Sequence, residues 1–176
     1  MDVYLIRHTT PLIEKGFIYG RTDVSLTVDF PEEKALVLKQ LPATVDRVYS
    51  SPSDRCLQLA KAIATDCKVE RDLYELDFGE WEGKTWDTVD RAVSEVWMND
   101  FVNLSPPNGE SMLQMQSRVM KFWNSLAEQP HRSVAIVTHG GVIRIILAHH
   151  RLIALKDVFD IKVSFAEVFK LQLSRP

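Results

Sequence analysis

The sequence predicts an α/β fold: a three-layer α/β/α sandwich with a mostly parallel central sheet. Three observations predict it. Short apolar runs rich in β-branched and aromatic residues alternate with helix-like segments through most of the chain. Two of those runs, in "YLIRH" and "AIVTHGG", are apolar throughout and each ends on a histidine, as buried parallel strands ending at a common edge would. Only the last run, Phe169, Leu171 and Leu173 interleaved with Lys170 and Gln172, alternates as a strand with one face in solvent does. The 176 residues suffice for one domain, 1–176, with a substantial buried core.

The elements follow in order. "VYLI" reads as a buried strand, and a loop with Pro11, Gly16 and Gly20 comes after it. "PEEKALVLKQL", Pro31 to Leu41, opens with a proline and two acids, the chemistry a helix N-terminus prefers. "DRVYSS" is a second strand. "SPSDRCLQLAKAIATD" begins with Ser, Pro and Asp and continues as a helix. Leu73 to Gly83 is irregular, and Thr85 to Asn99 has a helical pattern. "NLSPPNGES" is a loop broken by Pro106, Pro107, Asn108 and Gly109. Met112, Met115, Val119, Phe122, Trp123 and Leu126 recur at helical spacing, so one face is buried. "SVAIVTHGGVIRIILAHH" is a strand, a tight turn and a helix.

Bulk composition excludes several functions. With 45% hydrophobic and 26% charged residues, the chain is that of an ordinary soluble protein. A net charge of −3 argues against a broad nucleic-acid-binding face. Cys56 and Cys67 lack C-x-x-C spacing, and neither starts a Cys-x5-Arg loop, so both read as reduced structural thiols. Arg7 interrupts the apolar start too early for a signal peptide, and no run reaches the roughly 18 apolar residues of a membrane span. The cytoplasm is the expected compartment. A homo-oligomer built through an exposed edge strand stays open.

The polar residues that could carry chemistry sit in four places: Arg7-His8, Arg55, Glu75 in "YELDFGEWEG", and His139 in "THGG". In parallel sheets ligands sit beyond the carboxyl ends of the strands. Two strands ending in histidine would therefore face a common cleft, and the helix opening at Gly140 would add backbone N–H groups suited to an anion. These groups converge on phosphate, which carries about −1.5 to −2 charge near neutrality in a monoester. One arginine at about 4 Å offers roughly 4 kcal/mol at an effective dielectric near 20. Two arginines, a second histidine and helix N–H groups together could neutralise such a group and favour its transition state. An imidazole is a competent nucleophile at neutral pH, and a carboxylic acid in a partly apolar neighbourhood can protonate the departing alkoxide. Glu75 stands between Tyr74, Leu76 and Phe78. The scheme needs no metal and no cofactor, and its partner is a small-molecule phosphate ester.

"IRHT", "SSPSDRCLQLA", "YELDFGEWEG", "PPNGES" and "VTHGG" together resemble, in that order, the histidine phosphatase (phosphoglycerate mutase-like) superfamily. Within it, "GFIYGRTDVSL", "FGEWEG" and "PNGES" are most similar to the α-ribazole phosphatases of cobalamin assembly. The resemblance implies a phosphoglycerate mutase-like fold, phosphorylation of His8, a phosphate pocket of Arg7, Arg55 and His139, and Glu75 as proton donor. It also places Thr9, Tyr19, Gly20, Arg21 and Gly140 beside the substrate. The chain departs from the family pattern at Thr9, where glycine is usual, and at Pro11 and Glu14, which replace a hydroxyl residue and an asparagine near the phosphate. Glu14 would repel phosphate unless it turns outward. The short path from Gly83 to Pro106 favours hydrolysis over mutase chemistry. Two alternatives stand beside the ribazole reading: a sugar-phosphate or nucleotide phosphatase or a mutase, and a non-catalytic binder of phosphate esters.

Several residues read as structural. His149 and His150 are adjacent and cannot share a helix face as metal ligands, whose favoured spacing is i, i+4. His131 follows a proline in a loop. Trp81 and Trp86 are expected to pack beneath the glutamate turn.

Overall fold

A computed structural model describes residues 1–174. Among these residues five strands form one sheet: β1 (Asp2–Arg7), β2 (Arg47–Ser50), β3 (Cys67–Val69), β4 (Ser133–Thr138) and β5 (Val168–Gln172), in spatial order β3-β2-β4-β1-β5. The pairs β1/β4, β2/β4 and β2/β3 are parallel. Only β5 runs antiparallel, beside β1. On this edge strand Leu171 is buried while Lys170 and Gln172 are exposed, as the alternation predicts.

The continuous apolar runs are buried on both faces because successive strand residues point to opposite sides. Tyr4, Ile6, Val48, Ala135 and Val137 pack with Val37 of α1 (Phe30–Gln40) and Cys56, Leu59 and Ala60 of α2 (Asp54–Ile63). Val3, Leu5, Tyr49, Val134 and Ile136 share the opposite core. That core includes Met115, Val119 and Phe122 of α4 (Met112–Ala127) and Val142, Ile143 and Ile146 of α5 (Gly140–Arg151). These are the three layers. A capping box starts α4: the Ser111 hydroxyl accepts from the Gln114 N–H while the Gln114 side chain accepts from the Ser111 N–H. Such caps contribute about 1 kcal/mol.

Three boundaries differ from the sequence reading. The helix expected from Thr85 begins only at Arg91, as α3 (Arg91–Asn99). Thr88 closes a local turn instead, its hydroxyl accepting from the Thr85 N–H and donating to the Thr85 carbonyl. Asp90 then caps α3 through the Ala92 N–H. Helix α2 starts at Asp54, not Ser51, because the Ser51 N–H continues the β2 pairing by donating to the Val137 carbonyl and Ser53 is the extended N-cap. The three residues of β3 carry too short a pattern to announce a strand.

Candidate active site

Register brings the two histidines together. In the β1/β4 pair Arg7 lies opposite Thr138, so the next residues, His8 and His139, leave the sheet side by side. The His8 N–H donates to the Thr138 carbonyl at 3.0 Å, and the two rings meet edge to face with centroids 5.2 Å apart. Beyond the end of β2, the first turn of α2 delivers Arg55, which is wholly buried.

Hydrogen bonds settle the tautomers. His8 Nδ1 lies 2.7 Å from the Thr9 carbonyl, which can only accept, so Nδ1 carries the proton and Nε2 keeps the lone pair. For His139, Arg55 Nη2 donates to Nδ1 at 3.2 Å. The proton is therefore on Nε2, which donates to the Ser51 hydroxyl at 2.8 Å. Burial first, then the charge of Arg55, pushes the His8 pKa down to about 3; Arg7 adds to this, and the bond to Thr9 only partly offsets it. Burial followed by the charges of Arg55, His8 and Arg7 holds His139 well below the usual histidine range. Both imidazoles are neutral at pH 7. Cys56, whose thiol is pushed up foremost by burial, stays a neutral neighbour 3.6 Å from His139 Nε2.

The arginines are only partly satisfied. Arg55 donates to the carbonyls of Thr22 (2.8 Å) and Gly20 (2.6 Å), and Arg7 donates to that of Val163 (2.6 Å) and lies 3.7 Å over the Phe165 ring. The Nε–H of each is buried without a partner. Neither has a salt-bridge partner among the described residues. With Glu75 the carboxylate that acts on Arg7, these unpaired N–H groups leave donors on the cavity side that an anion could take.

Glu75 comes from the irregular segment between two single 3₁₀ turns, Arg71–Leu73 and Gly79–Trp81. Its carboxylate accepts from the N–H groups of Leu76 (2.9 Å) and Gly141 (3.0 Å), the latter in the first turn of α5. The Gly-Gly pair has a steric reason. A Cβ on Gly141 would stand 2.2 Å from Glu75 Oε1, and one on Gly140 would stand 2.9 Å from Arg144 and 3.4 Å from Arg7.

Arg7, His8, Arg55, Glu75 and His139 all line one cavity of about 200 Å³, together with Tyr19 and Gly20. Thr9, Arg21 and Gly140 are not on its wall. Arg21 instead ion-pairs with Asp77 and Glu110, both at 3.1 Å, beneath the Glu75 segment. Glu14 is exposed and off the wall, so the carboxylate that stood in doubt turns outward. Pro11 is buried in a bridge with Leu26. Trp81 packs in the core as expected, but Trp86 lines the cavity, in T-shaped contact with Phe78. Sequence reading missed Arg144, whose Nε donates to the Ile161 carbonyl at 3.0 Å on the cavity wall. Its signal was present: a charge set among the apolar residues that open the helix, one turn after Gly140 and hence on the same face.

The arrangement offers a lone-pair nitrogen, converging cationic N–H donors and a carboxylate across the same hollow. A sandwich with these groups at its strand ends has the architecture of a phosphatase. The chain belongs to the histidine phosphatase superfamily, whose branch 1 family model matches residues 3–175. It is 31% identical to a Hydrogenobacter thermophilus protein named "Putative phosphoserine phosphatase 2", over 97% of this chain and 89% of that one. Among solved structures it resembles the alpha-ribazole phosphatase from Shigella flexneri, with a TM-score of 0.89, 24% identity, and coverage of 99% of this chain and 91% of that one. It also resembles a phosphoserine phosphatase mutant from Entamoeba histolytica in complex with phosphoserine, with a TM-score of 0.83 and 20% identity over 96% and 89% of the two chains.

Proposed function

We propose that the chain is a metal-independent phosphomonoesterase acting through a phosphohistidine on His8, with α-ribazole 5′-phosphate as its substrate in cobalamin nucleotide-loop assembly in the cytoplasm. His8 Nε2 attacks phosphorus while Arg7 and Arg55 hold the non-bridging oxygens, and His139 joins them as its Nδ1 takes up a proton beside the entering phosphate dianion. Glu75 gives its proton to the departing ester oxygen as the P–O bond breaks. Water, deprotonated by the Glu75 carboxylate, then releases inorganic phosphate and frees His8.

One observation carries the leaving group. The cavity wall carries Phe17, Phe78 and Trp86 with Leu76 and Met112, besides Tyr19 next to Arg7 and Arg55 and Phe159 next to Arg144. Such a wall suits a flat apolar base, as benzimidazole is, better than a small charged amino acid. The likeness to the Shigella protein supports the same choice. Arg144 favours a second reading, in which a leaving group with its own carboxylate, as in phosphoserine, pairs with that third guanidinium; the Hydrogenobacter relative agrees with it.

A panel of α-ribazole 5′-phosphate, phosphoserine, AMP, glucose 6-phosphate and 3-phosphoglycerate, assayed with EDTA, separates the readings. The ribazole ester is expected to show a kcat/KM about tenfold or more above the rest, the scale of one good apolar contact. Equal or faster turnover of phosphoserine would replace the first reading with the second. Ester binding with no phosphate released would remove catalysis altogether.

Gly141→Ala tests the acid. The added methyl must displace the Glu75 carboxylate, so kcat is expected to fall about 10- to 100-fold with KM nearly unchanged. Unaltered kcat would show that this position of Glu75 is not needed.

A further inference from the structure

Glu75 belongs to no strand or regular helix, yet its carboxylate must be held to within a fraction of an ångström. What fixes its backbone lies on the side away from the cavity. Arg118, near the middle of α4, reaches under the segment and spends every N–H it has. Nη1 donates to the carbonyls of Asp72 (2.8 Å) and Tyr74 (2.7 Å). Nη2 donates to the Glu75 carbonyl (3.1 Å) and to Glu110 Oε1, and Nε donates to Glu110 Oε2 (3.0 Å). The fork therefore leaves none of the five guanidinium N–H groups over.

Glu110 locks the arginine from the other side. Its carboxylate accepts from the Nε/Nη2 edge of Arg118, from the Asp77 N–H at 3.1 Å and from Arg21 Nη2 at 3.1 Å. Its own N–H donates to the Asp77 carbonyl. Arg21 Nε then reaches the Glu75 carbonyl at 3.5 Å. The Arg118 and Glu110 side chains are 15% and 13% exposed, so the pair is shielded from solvent. Neither residue is on the cavity wall.

From this geometry we infer that Arg118, with Glu110 as its lock, is a positioning residue for the proton donor. It grips three carbonyls of residues 72–75 and thereby sets where the Glu75 carboxyl stands. The inference rests on the proposed role of Glu75. Lysine cannot substitute, because a single ammonium cannot span three carbonyls and a carboxylate in one plane.

The test uses the requirement for a proton. Phenyl phosphate releases a phenol of pKa near 10, as tyrosine has, and its departure needs an acid. 4-Nitrophenyl phosphate has nearly the same shape and a far better leaving group, so it needs the acid much less. kcat/KM, which reports the chemistry up to leaving-group departure, is measured on both for wild type, Arg118→Lys, Arg118→Met, Glu75→Gln and the double variant Glu75→Gln/Arg118→Met. The phosphohistidine burst with 4-nitrophenyl phosphate counts intact sites in each preparation.

Per intact site, both Arg118 variants are expected to lose about tenfold or more on phenyl phosphate and less than about threefold on 4-nitrophenyl phosphate. In the Glu75→Gln background Arg118→Met should add no further discrimination. Equal losses on the two esters in the Arg118 variants, beside a larger loss on phenyl phosphate in Glu75→Gln, would overturn the positioning role alone. A Glu75→Gln enzyme with no leaving-group preference would overturn the acid assignment and this inference with it. Wild-type rates from His8→Ala would bring down the proposed mechanism independently.

Discussion

Replacing His8 with alanine is expected to lower kcat at least about 10⁴-fold, the loss seen when a covalent nucleophile is removed from an otherwise intact site. The size follows from what remains. Arg7 and Arg55 would still hold the ester, but water would have to attack phosphorus unassisted by the lone pair that the Nδ1–H···O=C bond to Thr9 directs onto Nε2. Binding of inorganic phosphate should survive, because the unpaired Nε–H groups of Arg7 and Arg55 are untouched. An acid-labile, alkali-stable phosphoryl label, formed within one turnover by wild type and absent from the variant, is the accompanying chemical signature. Residual turnover within tenfold of wild type would end the phosphohistidine mechanism, whatever the protein's other similarities.

Much of this site could be read from local pattern, and the reason is topological. A strand that ends in Arg-His or in Thr-His-Gly-Gly announces its own position, since parallel strands place their carboxyl ends on one edge. The sheet supplied the long-range step without further information from the sequence. Residues placed by side chains crossing the molecule were not legible in this way. Arg21 looked like a substrate-side residue because its neighbours Tyr19 and Gly20 are on the wall, yet its guanidinium turns away to meet Glu110, 89 positions later. Glu14 posed the reverse problem: its residue type raised a conflict that only its exposed position dissolves. Arg144 was hidden by its setting in a hydrophobic helix, and β3 by its length. The glycines of "THGG" were visible as a turn, but their sterics depend on Glu75, more than sixty residues away.

The burial that keeps His8 uncharged also makes the ligand-free protein sensitive to acid. His8 titrates near 3 in the folded chain, and His139 well below the ordinary value of 6.5. In the unfolded chain both take up protons as pH falls through about 6.5. Below that point the unfolded state binds more protons than the folded one, so the two groups drain stability as pH drops towards 3, at about 1.4 kcal/mol per pH unit for each proton. Between pH 7 and pH 5 His8 should remove about 2 kcal/mol, a sizeable share of the 5–15 kcal/mol typical of a folded protein, and His139 acts in the same direction. Carboxylates held low by hydrogen bonds, such as Asp46 on the Arg132 and Ser133 N–H groups, add loss of the same sign, chiefly at the acid end of this range. His8→Asn separates the contributions, because its amide can still donate to the Thr9 carbonyl but cannot titrate. Urea unfolding at pH 7 and pH 5 should show the variant losing about 2 kcal/mol less than wild type over that interval. The same loss in both proteins would mean that His8 takes its proton in the folded state at an ordinary pH. It would then be cationic in the free enzyme at pH 5, and its lone pair would have to be restored by the incoming substrate.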